Sequence, residues 1–136
     1  MTKTAYLTGY TGKPTRTPTQ LKQLAINLGA VVVDSRYSPQ SRVPHWTRYA
    51  LSRTLGNLYL WVRDLGNQAY KEGCIKLVDP AGALDLLNGH TADTFLILCA
   101  CADGESCHRK QAGEYLAAHG WTVREVTQAE WEAARL

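Results

Sequence analysis

Two apolar runs set the outer limits on how this chain folds. "VVV" ahead of Asp34 and "FLILC" within "DTFLILCA" are hydrophobic at every position, where a strand with one wet face would alternate. A strand that is apolar on both parities has to be covered on both faces. That is the mark of a parallel sheet held between two layers of helices.

The segments around these runs supply the helices. In "TPTQLKQLAINLG", Thr17 is a natural N-cap, Pro18 suits the first helical position, and Gln20 stands where a capping box needs it. Leu21, Leu24, Ala25 and Leu28 then share one face, and Gly29 supplies the stop. "DPAGALDLLNG" repeats the pattern with Asp79, Pro80 and Gly89, and "CHRKQAGEYLAAHG" forms a helix ending at Gly120. Thr127 and Glu130 cap a terminal helix. "VPHWTRYALSRTLG" predicts a helix closed by Gly56, while "RDLGNQAYKEGCIKL" reads as loop or short irregular helix. "AYLTGY", "NLYLWV" and "WTVREV" are further strands. The expectation is one domain over residues 1–136: a three-layer, Rossmann-like α/β fold. Its sheet is mainly parallel, has about five strands, and carries helices on both faces.

Composition narrows the class. With 45% hydrophobic and 20% charged residues, the chain has enough apolar surface to offset its folding entropy, which argues against disorder. A net charge of +3 permits a nucleic-acid or phosphate partner without demanding one. No apolar run approaches the ~20 residues of a membrane span, and "MTKTAYLTGYTG" has no signal-peptide core. The expected setting is therefore the cytoplasm, with no membrane partner and with Cys74, Cys99, Cys101 and Cys107 as reduced thiols.

Parallel α/β sheets place ligands at the C-terminal ends of their strands. Three polar loops fall on that edge: "TGYTGK", "DSRYSPQSR" and "CACADGESCHR". The first offers Gly9, Gly12, Tyr10 and Lys13, but it is not a P-loop. Only two residues separate its glycines, and Pro14 follows Lys13. In the second, Asp34 closes an apolar strand, so its carboxylate is either paired or functional, with Arg36, Ser41 and Arg42 close in sequence. An Asp34–Arg36 or Asp34–Arg109 ion pair that orders the loops is the structural alternative. Trp46, Tyr10 and Tyr37 lie near enough to stack on a flat ring or to pack as rim.

The third loop concentrates three of the four cysteines in "LILCACADGESCHRK". Cys99 and Cys101, two apart at a strand end, point to the same face. The spacing from Cys99 to His108 does not match the paired knuckles of structural zinc sites, so no metal is assigned, and no cofactor motif is present. The Cys-x5-Arg spacing of a phosphatase loop is also missing. With Ser106 as N-cap, Cys107, His108 and Arg109 occupy a first helical turn, which favours anions and lowers a thiol's pKa.

Taken together, "TGY", "DSRYSPQSR" followed by Trp46, "YLWVRDLGN" and the helix-opening Cys107-His108-Arg109 resemble the family catalogued as domain of unknown function 488. The resemblance runs from about Tyr6 to Val126. It implies a small α/β domain without an established general activity, and a shared constellation of Gly9, Asp34, Arg36, Pro39, Ser41, Cys107, His108 and Arg109. Many members carry Glu where this chain has Cys101, and Asn67 replaces the second Gly of a Leu-Gly-Gly.

The functional expectation is binding or processing of a phosphorylated small molecule, such as a nucleotide or nucleoside derivative. Asp34 and Cys107 are its candidate catalytic groups. Gly9, Tyr10, Arg36, Ser41, Arg42, His108 and Arg109 are its candidate ligand-binding groups. The alternatives are a nucleic-acid-binding or base-processing module, from Arg42, Arg48 and Arg53 beside Trp46, and a thiol enzyme using Cys107.

Overall fold

A computed structural model describes residues 2–39, 43–101 and 107–135. The chain runs β1 (Thr4–Gly9), α1 (Pro18–Leu28), β2 (Val31–Asp34), α2 (Arg48–Leu55), β3 (Tyr59–Trp61), α3 (Pro80–Asn88), β4 (Thr94–Cys99), α4 (His108–Ala118), β5 (Thr122–Glu125) and α5 (Gln128–Ala133). The five strands form one all-parallel sheet in the order β3-β2-β4-β1-β5. The alternating β/α, Rossmann-like architecture follows from the two doubly apolar runs: β2 and β4 are adjacent inside the sheet, and both faces are covered.

Strand parity sorts the core. Ala5, Leu7, Val33, Phe95 and Ile97 pack with Ala83, Leu87, Ala112 and Leu116, beneath α3 and α4. Val32, Leu96 and Leu98 pack on the other side with Leu21, Leu24, Leu51, Leu55 and Trp131, beneath α1, α2 and α5. The same alternation puts Asp34 on the α1/α2 side and Cys99 on the α4 side.

Local chemistry explains the element ends. Thr17 accepts a hydrogen bond from the Gln20 amide, and Gly29 closes α1 at φ 64°. The capping box expected there is half made, because the Gln20 side chain instead donates to the Trp131 carbonyl and ties α1 to α5. Both halves of the Thr127–Glu130 box are present.

The helix expected to begin at Val43 is divided. Pro44–Trp46 forms a 3-10 turn, and Thr47 then caps α2 through the Ala50 amide, so α2 starts at Arg48. The third strand keeps only Tyr59–Trp61, because Gly56–Leu58 is a 3-10 turn. The segment after β3 holds two 3-10 turns, Arg63–Leu65 and Tyr70–Glu72. Asn67 organises it: its Nδ2 donates to the Cys74 carbonyl at 2.9 Å, and its Oδ1 accepts from Ala69 at 3.0 Å and Lys76 at 2.9 Å. That loop forms one wall of the pocket described next.

Candidate functional site

The three central strands β1, β2 and β4 deliver their C-terminal ends side by side, and a pocket of about 620 Å³ opens over that edge. Tyr10, Arg36, Tyr37, Cys101 and His108 line it, together with the loop around Asn67 and Cys74. Its volume suits a small organic ligand.

Below the pocket on the α1/α2 side lies a closed ion-pair network. Asp34 is completely buried and Arg36 nearly so. Arg36 donates from Nε to Oδ1 at 2.8 Å and from Nη2 to Oδ2 at 2.6 Å, a bidentate fork. The Tyr59 hydroxyl donates to Oδ2 at 2.5 Å. Nη1 of Arg36 donates to the Tyr10 hydroxyl at 3.0 Å and the Trp46 carbonyl at 2.6 Å. Burial alone would disfavour the Arg36 charge, but the hydrogen bonds and charge of Asp34 outweigh it and hold the guanidinium protonated. Burial and the Asp34 carboxylate together push the Tyr59 hydroxyl up, so it stays a donor. Tyr10 stacks on Trp46, centroids 4.1 Å apart and planes within 6°. Trp46 is therefore core, and the Asp34–Arg36 pair orders the loop beside it.

On the α4 side, Cys99, Cys101 and Cys107 bring their Sγ atoms within 4.8 Å of one another. Sγ of Cys99 and Cys107 are 2.6 Å apart. Cys107 is the N-cap of α4, one position earlier than the first-turn placement expected, and it is buried. The expected cap Ser106, the candidates Ser41 and Arg42, and the acids Asp103 and Glu105 lie outside the described residues. Cys101 is half-buried and reaches the pocket wall. The three thiols share their charge unequally. Interaction with the thiols of Cys107 and Cys99, with His108 and Arg109 nearby, holds Cys101 well below the ordinary thiol range. Cys99 is pushed up by the hydrogen bonds to Cys101 and Cys107 and by burial, and Cys107 by its hydrogen bond to Cys101. The arrangement favours ionisation at Cys101, on the pocket wall, over Cys99 and Cys107 behind it.

Arg109 backs this cluster rather than facing the pocket. It is 2% exposed and donates to both oxygens of Glu125, Nε to Oε2 and Nη2 to Oε1, each at 3.0 Å. Its Nη1 reaches Cys99 Sγ at 3.0 Å and the Cys101 carbonyl. Gly9, in register with Cys99, lies directly under that carbonyl: a Cβ there would overlap the Cys101 oxygen. Its role is close backbone approach. The Gly9 carbonyl accepts from Arg16 Nη1 at 2.6 Å, and the Thr11 amide donates to the Ala100 carbonyl at 2.9 Å. The first loop is thus fastened to the third.

His108 joins the two sides. Its Nε2 lies 3.0 Å from the Ser35 carbonyl, an acceptor only, so Nε2 carries the proton in the neutral ring. Nδ1 then faces Cys107 Sγ at 3.7 Å as an acceptor. Burial lowers the His108 pKa. Below about pH 6.5 the unfolded chain takes up a proton that the folded ring refuses, so stability falls as pH drops from there toward the folded pKa. Urea midpoints between pH 7.5 and 5 should decline for the native chain and flatten in His108→Gln. Glu130, held to about 2 by Arg124, acts in a separate window below 4.5.

The structure brings Gly9, Tyr10, Arg36, Cys107, His108 and Arg109 to one sheet edge, but only Tyr10, Arg36 and His108 line the pocket. Sequence reasoning missed Tyr59 and Glu125, the partners that close the two networks. The spacing of Cys99 and Cys101 carried the signal for that cluster.

A family model described as "Domain of unknown function DUF488" matches residues 21–116. The chain belongs to this family. No curated protein and no solved structure matches it.

Proposed function

We propose that this DUF488 domain binds and processes a small molecule of the nucleotide or nucleoside class, with Cys101 as its thiolate nucleophile. One observation carries the reading: three thiols lie within 4.8 Å of one another, and one of them, Cys101, lines a pocket of ligand size. Cys101 Sγ would form the bond to an electrophilic atom of the ligand, whose leaving group departs with its electron pair into the open mouth of the pocket. The neighbouring thiols of Cys107 and Cys99, with His108 and Arg109 close by, favour the ionised form of Cys101, which moves the nucleophile's role from Cys107 to Cys101. His108 positions Cys107. The rings of Tyr10 and Tyr37 at the pocket wall support a ligand with a flat part. A phosphate is not assigned to Arg36 or Arg109, whose guanidinium groups are engaged by Asp34 and Glu125. Asp34, engaged in the same way, is a positioning group in this reading and not a base.

Alkylation by iodoacetamide, mapped by peptide mass between pH 5 and 9, tests the reading. At about pH 6, Cys101 should react roughly tenfold faster than the exposed Cys74, because its larger thiolate fraction outweighs the lower intrinsic nucleophilicity of a low-pKa thiolate. A Cys101 no faster than Cys74 would sink the nucleophile. Nucleotides and nucleosides should slow the labelling of Cys101. Rapid labelling that none of them slows would discard the ligand class and leave the thiol chemistry standing.

A further inference from the structure

Residues 35–63 contain five arginines and no Asp or Glu, in a chain with 15 basic and 12 acidic residues. Arg36 is buried against Asp34, whereas Arg48, Arg53 and Arg63 are exposed. Surface guanidinium groups commonly find carboxylates. Among the described residues, these three find rings instead. Arg48 lies 4.4 Å from the Trp61 ring centroid, Arg63 4.4 Å from that of Tyr37, and Arg53 5.7 Å from that of Tyr49. The rings are held in place or on show. Trp61 Nε1 donates to the Arg36 carbonyl at 2.8 Å, the Tyr37 hydroxyl accepts from Arg63 at 2.6 Å, and Tyr49 is 70% exposed.

These pairs flank two shallow grooves that share Pro39 and Arg48. One is bounded by Tyr37, Trp61 and Arg63, the other by Tyr49 and Ser52. The grooves run along α2 and the outer strand β3. The nearest acids in sequence face elsewhere: Asp34 is enclosed by Arg36 and Tyr59, and the Asp64 carboxylate lies beside Gly82 at the start of α3.

A guanidinium stacked on a ring keeps its N–H edges free for phosphate oxygens, while its outer plane and the exposed rings offer flat surfaces. A polyanion with accessible planar faces matches both features. In a duplex those faces are hidden in the stack, and only an unpaired strand presents them. We infer that the α2–β3 edge binds single-stranded nucleic acid, its phosphates on Arg48, Arg53 and Arg63 and its bases against Trp61, Tyr49 and the stacked guanidinium planes. Tyr37 and Ser38 line both this surface and the pocket, so a bound strand runs to the pocket mouth. The inference stands independently of Cys101.

Fluorescence anisotropy with a labelled oligothymidine of about 20 nucleotides tests it, against the same strand paired with oligoadenosine and against inorganic polyphosphate. Binding is expected at about 50 mM salt, falling steeply as salt rises, with about 0.7 of log-log slope for each phosphate contact. Arg48→Ala with Arg63→Ala should weaken it about tenfold or more and flatten the slope. Lys22→Ala, exposed on α1, should leave it unchanged. Arg48→Lys with Arg63→Lys should keep the slope but lose affinity, because an ammonium does not stack. The inference is overturned if no binding appears at low salt, if duplex or polyphosphate binds as tightly, or if Lys22→Ala weakens binding as much as the arginine pair does.

Discussion

Asp34→Ala should lower the free energy of unfolding by about 3–5 kcal/mol, the range for removing one partner of a buried ion pair. The carboxylate accepts from the Arg36 amide, from Arg36 Nε and Nη2, and from the Tyr59 hydroxyl, with no exposure to water. Truncation leaves the Arg36 guanidinium buried, with the Tyr10 hydroxyl and the Trp46 carbonyl as its remaining acceptors among the described residues. Tyr59 also loses its acceptor. The charge, rather than the hydrogen bonds alone, sets the size of the loss, so Asp34→Asn should also be costly although it keeps the shape. Replacing both residues, Asp34→Leu with Arg36→Met, should recover part of the loss, since two apolar groups leave no orphaned charge. Urea unfolding at neutral pH measures all three. A loss below about 1 kcal/mol in Asp34→Ala would mean that the pair behaves as a solvated surface bridge.

Why the fold could be read so far ahead, and the site only in part, comes down to the range of the interactions. β2 and β4 announce themselves because burial on both faces acts on every residue in turn, and Thr17, Asp79 and Thr127 act within three residues of themselves. α2 starts later than the sequence predicts for an equally local reason: Thr47 bonds the Ala50 amide and stops the helix from extending back through Pro44. Asp34 ending an apolar strand already posed the choice between an ion pair and a functional group.

The partner that decides such a choice is another matter. Glu125 meets Arg109 because β5 lies beside β1, and α4 packs over both. Nothing in "WTVREV" carries that strand order. Cys101 shows both cases at once: its shared face with Cys99 follows from strand parity, but its place beside Cys107 depends on where the end of β4 and the start of α4 come together. Residues that act through long-range register stay hidden until the register is known.

Gly9→Ala should cost about 3 kcal/mol, the upper end for forcing extra volume into a filled site, and should also abolish the fast alkylation of Cys101. The added Cβ overlaps the Cys101 carbonyl oxygen and comes within 2.5 Å of Arg109 Nη1. Neither neighbour gives way freely. Arg109 is clamped by Glu125, and the Cys101 carbonyl is itself an Arg109 acceptor. The strain has to move the end of β1 away from β4, or swing the Cys101 backbone and with it the thiol. Gly12→Ala separates this from a general glycine effect. Gly12 lies at φ 77° with no atom of the described residues near its missing Cβ, so alanine there should cost about 1 kcal/mol of backbone strain and leave Cys101 reactive. Thermal melts read the first quantity and peptide-mapped alkylation reads the second. If Gly9→Ala melts like the native chain and labels Cys101 as fast, then Gly9 does not hold the thiol in place. If both variants lose stability but only Gly9→Ala loses reactivity, the geometry of the nucleophile is set by the contact between the ends of β1 and β4.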